Sequence, residues 1–226
     1  MNQGSPLTIA ALLCVIAVSG CRKRTHLDTP VADTPVAPAA PSHALLPPTD
    51  VVEGASIYPL QAQLTNQAGA NITLDVHRGH VVLVSMFYSS CPSACPTLIQ
   101  RLKKVEAALP DAVRSDVRIL LVSFDPDHDT LEVLRALPEA HHVAAERWTF
   151  ARTGHESVRE IAAVLGIKYR QDDGSFNHSS VIALLDREGR LDQRYDALEA
   201  AVQPVADRVR QLTSRVALPS SPRSGS

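Results

Sequence analysis

The stretch His80–Leu109, "HVVLVSMFYSSCPSACPTLIQRLKKVEAAL", changes its period halfway along. From His80 to Tyr88 it is almost continuously aliphatic and β-branched, the pattern of a strand covered on both faces. From Pro96 onward, Leu98, Ile99, Leu102, Val105 and Leu109 recur at helical spacing with charges between them. Proline inside a helix loses a hydrogen bond and clashes with the preceding turn, but at the first helical position it costs little, so the helix is expected to start at Pro96. A second apolar run, "VRILLVSF" from Val117 to Phe124, completes a strand, helix, parallel strand unit.

Reading outward on the N-terminal side, Ala55 to Leu64 and Asn71 to Leu74 are expected as two short strands around "TNQAG", with Gly69 supplying the turn. On the C-terminal side, Leu131, Val133, Leu134 and Leu137 mark a second helix, and Val158, Ile161, Ala162, Val164 and Leu165 a third that stops at Gly166. "SVIALLD" and "RLDQRYD" form a hairpin around Arg187-Glu188-Gly189, and a last helix begins near Pro204. This order describes an α/β chain with a thioredoxin-like fold: a central mixed sheet flanked by helices, preceded by an extra N-terminal β-hairpin.

The ends read differently. Leu7 to Val18 is an apolar stretch of signal-peptide length, too short for a comfortable bilayer span. Val18-Ser19-Gly20-Cys21 resembles the lipobox of bacterial lipoproteins, in which the cysteine becomes the lipid-bearing first residue after cleavage. Residues 1–20 are therefore expected to be a lipoprotein-type signal peptide with Cys21 as the lipid anchor. The n-region has no Lys or Arg, and the rival is an uncleaved anchor with Arg22, Lys23 and Arg24 just outside it. Residues 21–50, rich in Pro and Ala without any period, form a disordered tether, residues 51–216 the domain, and residues 217–226 a frayed tail. A net charge of -2 with no long basic block excludes nucleic acid as a partner.

Cleavage would remove Cys14 and lipid would occupy Cys21, leaving Cys91 and Cys95 to each other or to a ligand. Placed at the start of a helix, both sulfurs lie near the positive end of its dipole, which favours thiolate. One α-turn would set their Cα atoms roughly 6 Å apart, within the range of a disulfide. A disulfide, a redox couple and a metal site all remain open on these grounds.

The motifs "FYSSCPSACP", "VSFDPDHDT" (Val122 to Thr130), "TG" (Thr153-Gly154) and "FNHSS" (Phe176 to Ser180) stand in an order and spacing that resembles the Sco/SenC family, from about Ile57 to Ala200. The resemblance implies a thioredoxin-fold, membrane-tethered copper protein that serves assembly of the copper-A centre of cytochrome c oxidase. It implies copper, as Cu(I), Cu(II) or both, held by Cys91, Cys95 and His178. It further implies as partners the oxidase subunit that carries the copper-A site, a periplasmic thiol reductant, and the periplasmic side of the bacterial inner membrane. Residue chemistry agrees, since thiolates favour Cu(I) and an imidazole makes a trigonal S2N set that also accepts Cu(II). His178 is expected in the loop before the Ser180 to Asp186 strand.

In "DPDHDT", Thr130 and Ala136 occupy the positions where an EF-hand needs glycine and glutamate, so a calcium loop is excluded. A turn with Asp127 or Asp129 capping the next helix is expected, while Asp125 is a candidate to tune the metal site or touch a recipient, and His128 a residual charge or incidental metal contact. Tyr88 and Phe87 are expected to line or cover the cysteine loop. His77, His80, His141 and His142 are expected to be solvated. Three functional classes follow: a copper metallochaperone; a thiol-disulfide oxidoreductase cycling Cys91 and Cys95; and, fitting least well, a peroxidase.

Overall fold

The computed structural model describes residues 54–172 and 175–214. The leader, Cys21, the tether before residue 51 and the tail from residue 217 lie outside the described residues.

A seven-stranded mixed sheet is the frame of the domain. Its strands are β1 (Leu64–Asn66), β2 (Asn71–Ile72), β3 (Val81–Phe87), β4 (Val117–Ser123), β5 (Trp148–Arg152), β8 (Val181–Leu185) and β9 (Leu191–Asp196), in the spatial order β2-β1-β5-β4-β3-β8-β9. A separate two-stranded sheet pairs β6 (Tyr169–Asp172) with β7 (Ser175–His178). Helices α1 (Ala94–Ala107), α2 (Asp111–Arg114), α3 (Leu131–His141), α4 (His155–Leu165) and α5 (Val202–Ser214) connect and flank the strands. This is the thioredoxin-like α/β arrangement expected from the order of elements.

The two apolar runs behave as their composition demands. β3 and β4 pair in parallel from Val81↔Val117 to Phe87↔Ser123, and every residue of β3 is buried. β5 extends the parallel set beside β4, and β8 runs antiparallel to β3. Because β3 and β4 run the same way, the loops after both emerge at one edge of the sheet, bound by the Phe124 N–H donating to the Phe87 carbonyl at 2.7 Å.

The N-terminal hairpin is present, but shorter than the apolar run implied. β1 starts only at Leu64, and β1 adds to the sheet antiparallel to β5. Residues Ala55 to Gln63 instead cross the molecule, with an isolated bridge from Ser56 to Arg190. β5 itself carries no obvious strand signal, and its burial comes from the ring core: Trp148, Phe150, Phe87 and Phe124 are among the largest fully buried side chains. Trp148 keeps its indole N–H satisfied by donating to Glu106 at 3.0 Å, and Arg147 also pairs with that carboxylate.

Helix α1 begins two residues before the position that Pro96 suggested. Pro96 falls within the first turn, where its missing N–H has no intrahelical partner to lose. α5 likewise opens at Val202 with Pro204 in its first turn. α3 is capped by the hydroxyl of Thr130, which accepts from the Val133 N–H, and not by Asp127 or Asp129. The histidines expected in solvent are engaged: His77 bonds Thr149 at 2.9 Å, His80 bonds Asp116 at 3.1 Å, and His141 stacks on Phe150. His142 is exposed and closes α3 in the left-handed conformation.

Candidate metal centre

Cys91 lies in the loop after β3 and Cys95 in the first turn of α1, both as free thiols and both buried. His178 ends β7; the sequence had placed it in a loop, but it sits opposite Tyr169 in the two-stranded sheet. The two Sγ atoms and one imidazole nitrogen of these residues all lie within 4.8 Å of one another. They are the one group of three or more metal-ligating side chains found so close together among the described residues.

The sulfurs are unequal. Burial pushes the Cys91 thiol up, but the backbone N–H groups of Cys95 and Ser93, the Cys95 S–H and the Tyr88 hydroxyl all donate to its sulfur, and the balance falls below the ordinary thiol value. The Cys95 N–H contact is 3.2 Å. Burial is also the largest influence on Cys95; the neighbouring Cys91 sulfur and the Asp129 carboxylate add to it, and its pKa is pushed far up although the Tyr88 N–H bonds its sulfur. The pair at rest is thus a thiolate-prone Cys91 served by a protonated Cys95.

His178 is half-buried, and that burial holds its pKa below the ordinary imidazole value, partly offset by the Ser179 carbonyl. Nδ1 lies 3.2 Å from that carbonyl, which can only accept, so Nδ1 carries the proton and Nε2 keeps a free lone pair. A neutral imidazole with one open nitrogen is a ready metal ligand at neutral pH. Aromatic rings hold it in place: Phe124 is centred 4.9 Å from the imidazole and Tyr88 meets it edge-on at 6.0 Å.

Tyr88 does more than cover the loop. Its hydroxyl donates to Cys91 and receives the Phe176 N–H, so one side chain ties a sulfur to the strand that carries His178. Its ring packs on Phe176 at 5.1 Å. Phe87, the adjacent residue, faces the sheet core edge-on to Phe150 and is explained by packing alone.

The acidic loop after β4 lies at the same edge. Asp125 is buried and its carboxylate bonds His128 Nδ1 at 2.9 Å, which raises the exposed imidazole's pKa. Asp127 is exposed and pairs with His155. Asp129, 1 % exposed, was not singled out from the sequence beyond a capping role; it accepts from Ser89 N–H and from the Ser123 hydroxyl. Thr153 bonds the Gln63 carbonyl and Gly154 caps α4, so the "TG" motif serves the frame of this edge.

Comparison with known proteins points one way. The SCO1/SenC family model matches residues 57–214. The SCO1 protein homolog of Bacillus subtilis is 25% identical over 138 residues, covering 59% of this chain and 71% of that protein. The copper-bound structure of Bradyrhizobium japonicum ScoI superposes with a TM-score of 0.57 at 21% identity, over 67% of this chain and 96% of that one. BsSco, described as a member of the Sco family of cytochrome c oxidase assembly proteins with a disulfide switch, gives 0.61 at 20% identity, over 74% and 98%. Since the family match takes in both cysteines, the histidine and nearly all of the described domain, the chain belongs to the SCO1/SenC family.

Proposed function

We propose that this protein is a copper-binding metallochaperone, tethered by a lipidated Cys21 on the periplasmic side of the bacterial inner membrane, which delivers copper to the copper-A centre of cytochrome c oxidase or matures that centre. The observation that carries this reading is the convergence of the Cys91 and Cys95 sulfurs and the His178 nitrogen within 4.8 Å. An ion bound in a trigonal plane at about 2.0–2.3 Å, the reach of first-row metals to N and S, holds its donors roughly 3.5–4 Å apart. The three side chains therefore fit one ion after a small contraction. Two soft sulfurs with one imidazole favour Cu(I) and also accept Cu(II). The copper bound to a relative of the same fold and the oxidase-assembly role of another support the assignment.

Copper is cargo in this reading, and the residues act on it as donors. Cys91 offers a thiolate, His178 offers Nε2, and Cys95 must lose its proton to complete the set, so binding releases protons and weakens in acid. Titration of the reduced full chain with Cu(I) and Cu(II), following sulfur-to-copper charge-transfer bands, tests it. Cys91→Ser, Cys95→Ser and His178→Ala should each weaken retention by roughly tenfold or more. Unchanged binding in all three removes the assignment.

The inequality of the two thiols favours a second reading, a thiol-disulfide oxidoreductase. The Cys91 thiolate would attack a partner's disulfide and displace one partner thiolate; Cys95, losing its proton, would then attack Cys91 and release the second. The partner gains two electrons, the pair becomes a disulfide, and a periplasmic dithiol must restore it. His178→Ala separates the readings: it damages copper binding and spares disulfide exchange.

A further inference from the structure

We propose that Asp129 is a positioning residue for the cysteine loop: its buried carboxylate clamps the Tyr88–Ser89 segment to the end of β4 and thereby sets both sulfurs against His178.

The segment it grips supports every part of the site. The Tyr88 carbonyl accepts the Cys91 N–H at 3.2 Å, the Tyr88 N–H bonds the Cys95 sulfur, and the Tyr88 hydroxyl joins Cys91 to Phe176. Immediately after it, the Ser89 N–H donates to both oxygens of Asp129, at 3.1 and 3.3 Å. Ser89, Ser90, Pro92 and Ser93 are exposed, so this buried carboxylate is the loop's tie to the end of β4.

The other end of the clamp is equally fixed. The Ser123 hydroxyl donates to Asp129, and the same serine oxygen accepts the Asp125 N–H at 2.9 Å. Asp129 donates its own N–H to the Asp125 carbonyl at 2.9 Å. Its partners are thus an amide and a hydroxyl, with no cation bonded to it among the described residues. Burying such a polar group is costly unless it is hydrogen-bonded, and here its oxygens accept from both sides of the loop-to-strand junction. Helix capping does not account for it, since Thr130 caps α3, and it is not one of the three converging ligands.

The proposal rests on the reading of Cys91, Cys95 and His178 as a copper site. Its first test needs no metal and no variant: in the reduced, metal-free full chain, the Ser89 amide should be protected from hydrogen exchange although the residue is exposed. A freely exchanging Ser89 amide overturns the clamp. Asp129→Ala should then speed exchange over residues 89–95 at least tenfold and weaken Cu(I) retention, read by chelator competition, by roughly tenfold to a hundredfold. Asp129→Asn should stay within about threefold of the wild type, because its amide oxygen still accepts Ser89 and its NH2 can donate to Ser123. Equal losses in the Asn and Ala variants overturn the clamp in favour of charge. A chain that binds no copper yet loosens on Asp129→Ala sinks the copper reading alone, while undiminished copper binding in Asp129→Ala sinks the clamp alone.

Discussion

Cys95 donates its backbone N–H to the sulfur of Cys91 at 3.2 Å, so the first turn of α1 stabilises the charge of its neighbour and not its own. Alkylation should report this. With substoichiometric iodoacetamide at neutral pH, Cys91 is expected to be labelled well ahead of Cys95, because its pKa lies below the ordinary thiol range and that of Cys95 far above it. Peptide mass spectrometry reads the order, and preferential labelling of Cys95 would contradict the assignment.

Phe124 joins the hairpin to the frame, with ring centroids 5.1 Å from Tyr169, 6.0 Å from Phe176 and 4.9 Å from His178. Such pairs contribute about 0.5–1.5 kcal/mol each beyond area. Phe124→Leu should therefore speed hydrogen exchange in β6 and β7 by tenfold or more while β3 and β4 stay protected. Copper retention should fall with it, since the imidazole loses its backing.

His77 lies away from this edge, and burial, with smaller contributions from Arg118 and His80, lowers its pKa to about 4. Between the ordinary value of 6.5 and about 4 the unfolded chain binds a proton that the folded chain refuses. The His77 contribution to stability is consequently full above pH 6.5 and is lost as pH falls through that window, with a slope of up to about 1.4 kcal/mol per pH unit. Urea melts of His77→Gln should show a shallower decline than the wild type from pH 6.5 to 4.

Gly189 turns the β8–β9 hairpin at φ +74, and a Cβ there would meet the Tyr58 ring at 2.5 Å. The Tyr58 ring is buried, with the Arg78 guanidinium 4.7 Å from its centre on one face. Gly189→Ala should cost roughly 1–3 kcal/mol in a denaturant melt, from backbone strain and overpacking together, and leave copper affinity unchanged. A neutral result would mean that the N-terminal crossing segment yields freely.

The frame was legible because β3, β4 and α1 obey the periods that burial imposes: continuous apolar strands and a helix with one greasy face. β5 was not, since "WTFAR" is short and flanked by charge, and only its neighbours decide that it is buried. β6 and β7 were missed for a different reason. They are polar strands held by a few rings, although Asp173-Gly174 between them is a hairpin signal that could have revealed the pair. At the site, residue type and motif order were enough to bring Cys91, Cys95 and His178 into consideration. Nothing in "DPDHDT" distinguishes Asp125 from Asp129, because which carboxylate faces the cysteine loop is fixed by the pairing of β4 with β3, forty residues back along the chain.

Two sulfurs belong to the seven-stranded frame, while the imidazole rides on a two-stranded appendage that shares no ladder with it among the described residues. The grip on a bound ion is therefore divided between two separately laddered parts. Loosening the ring contacts of His178 with Phe124 and Tyr88 would shift the nitrogen donor while both sulfurs stay on the frame. How firmly a handful of rings adhere therefore bears on how readily the imidazole can leave an ion that the sulfurs still hold.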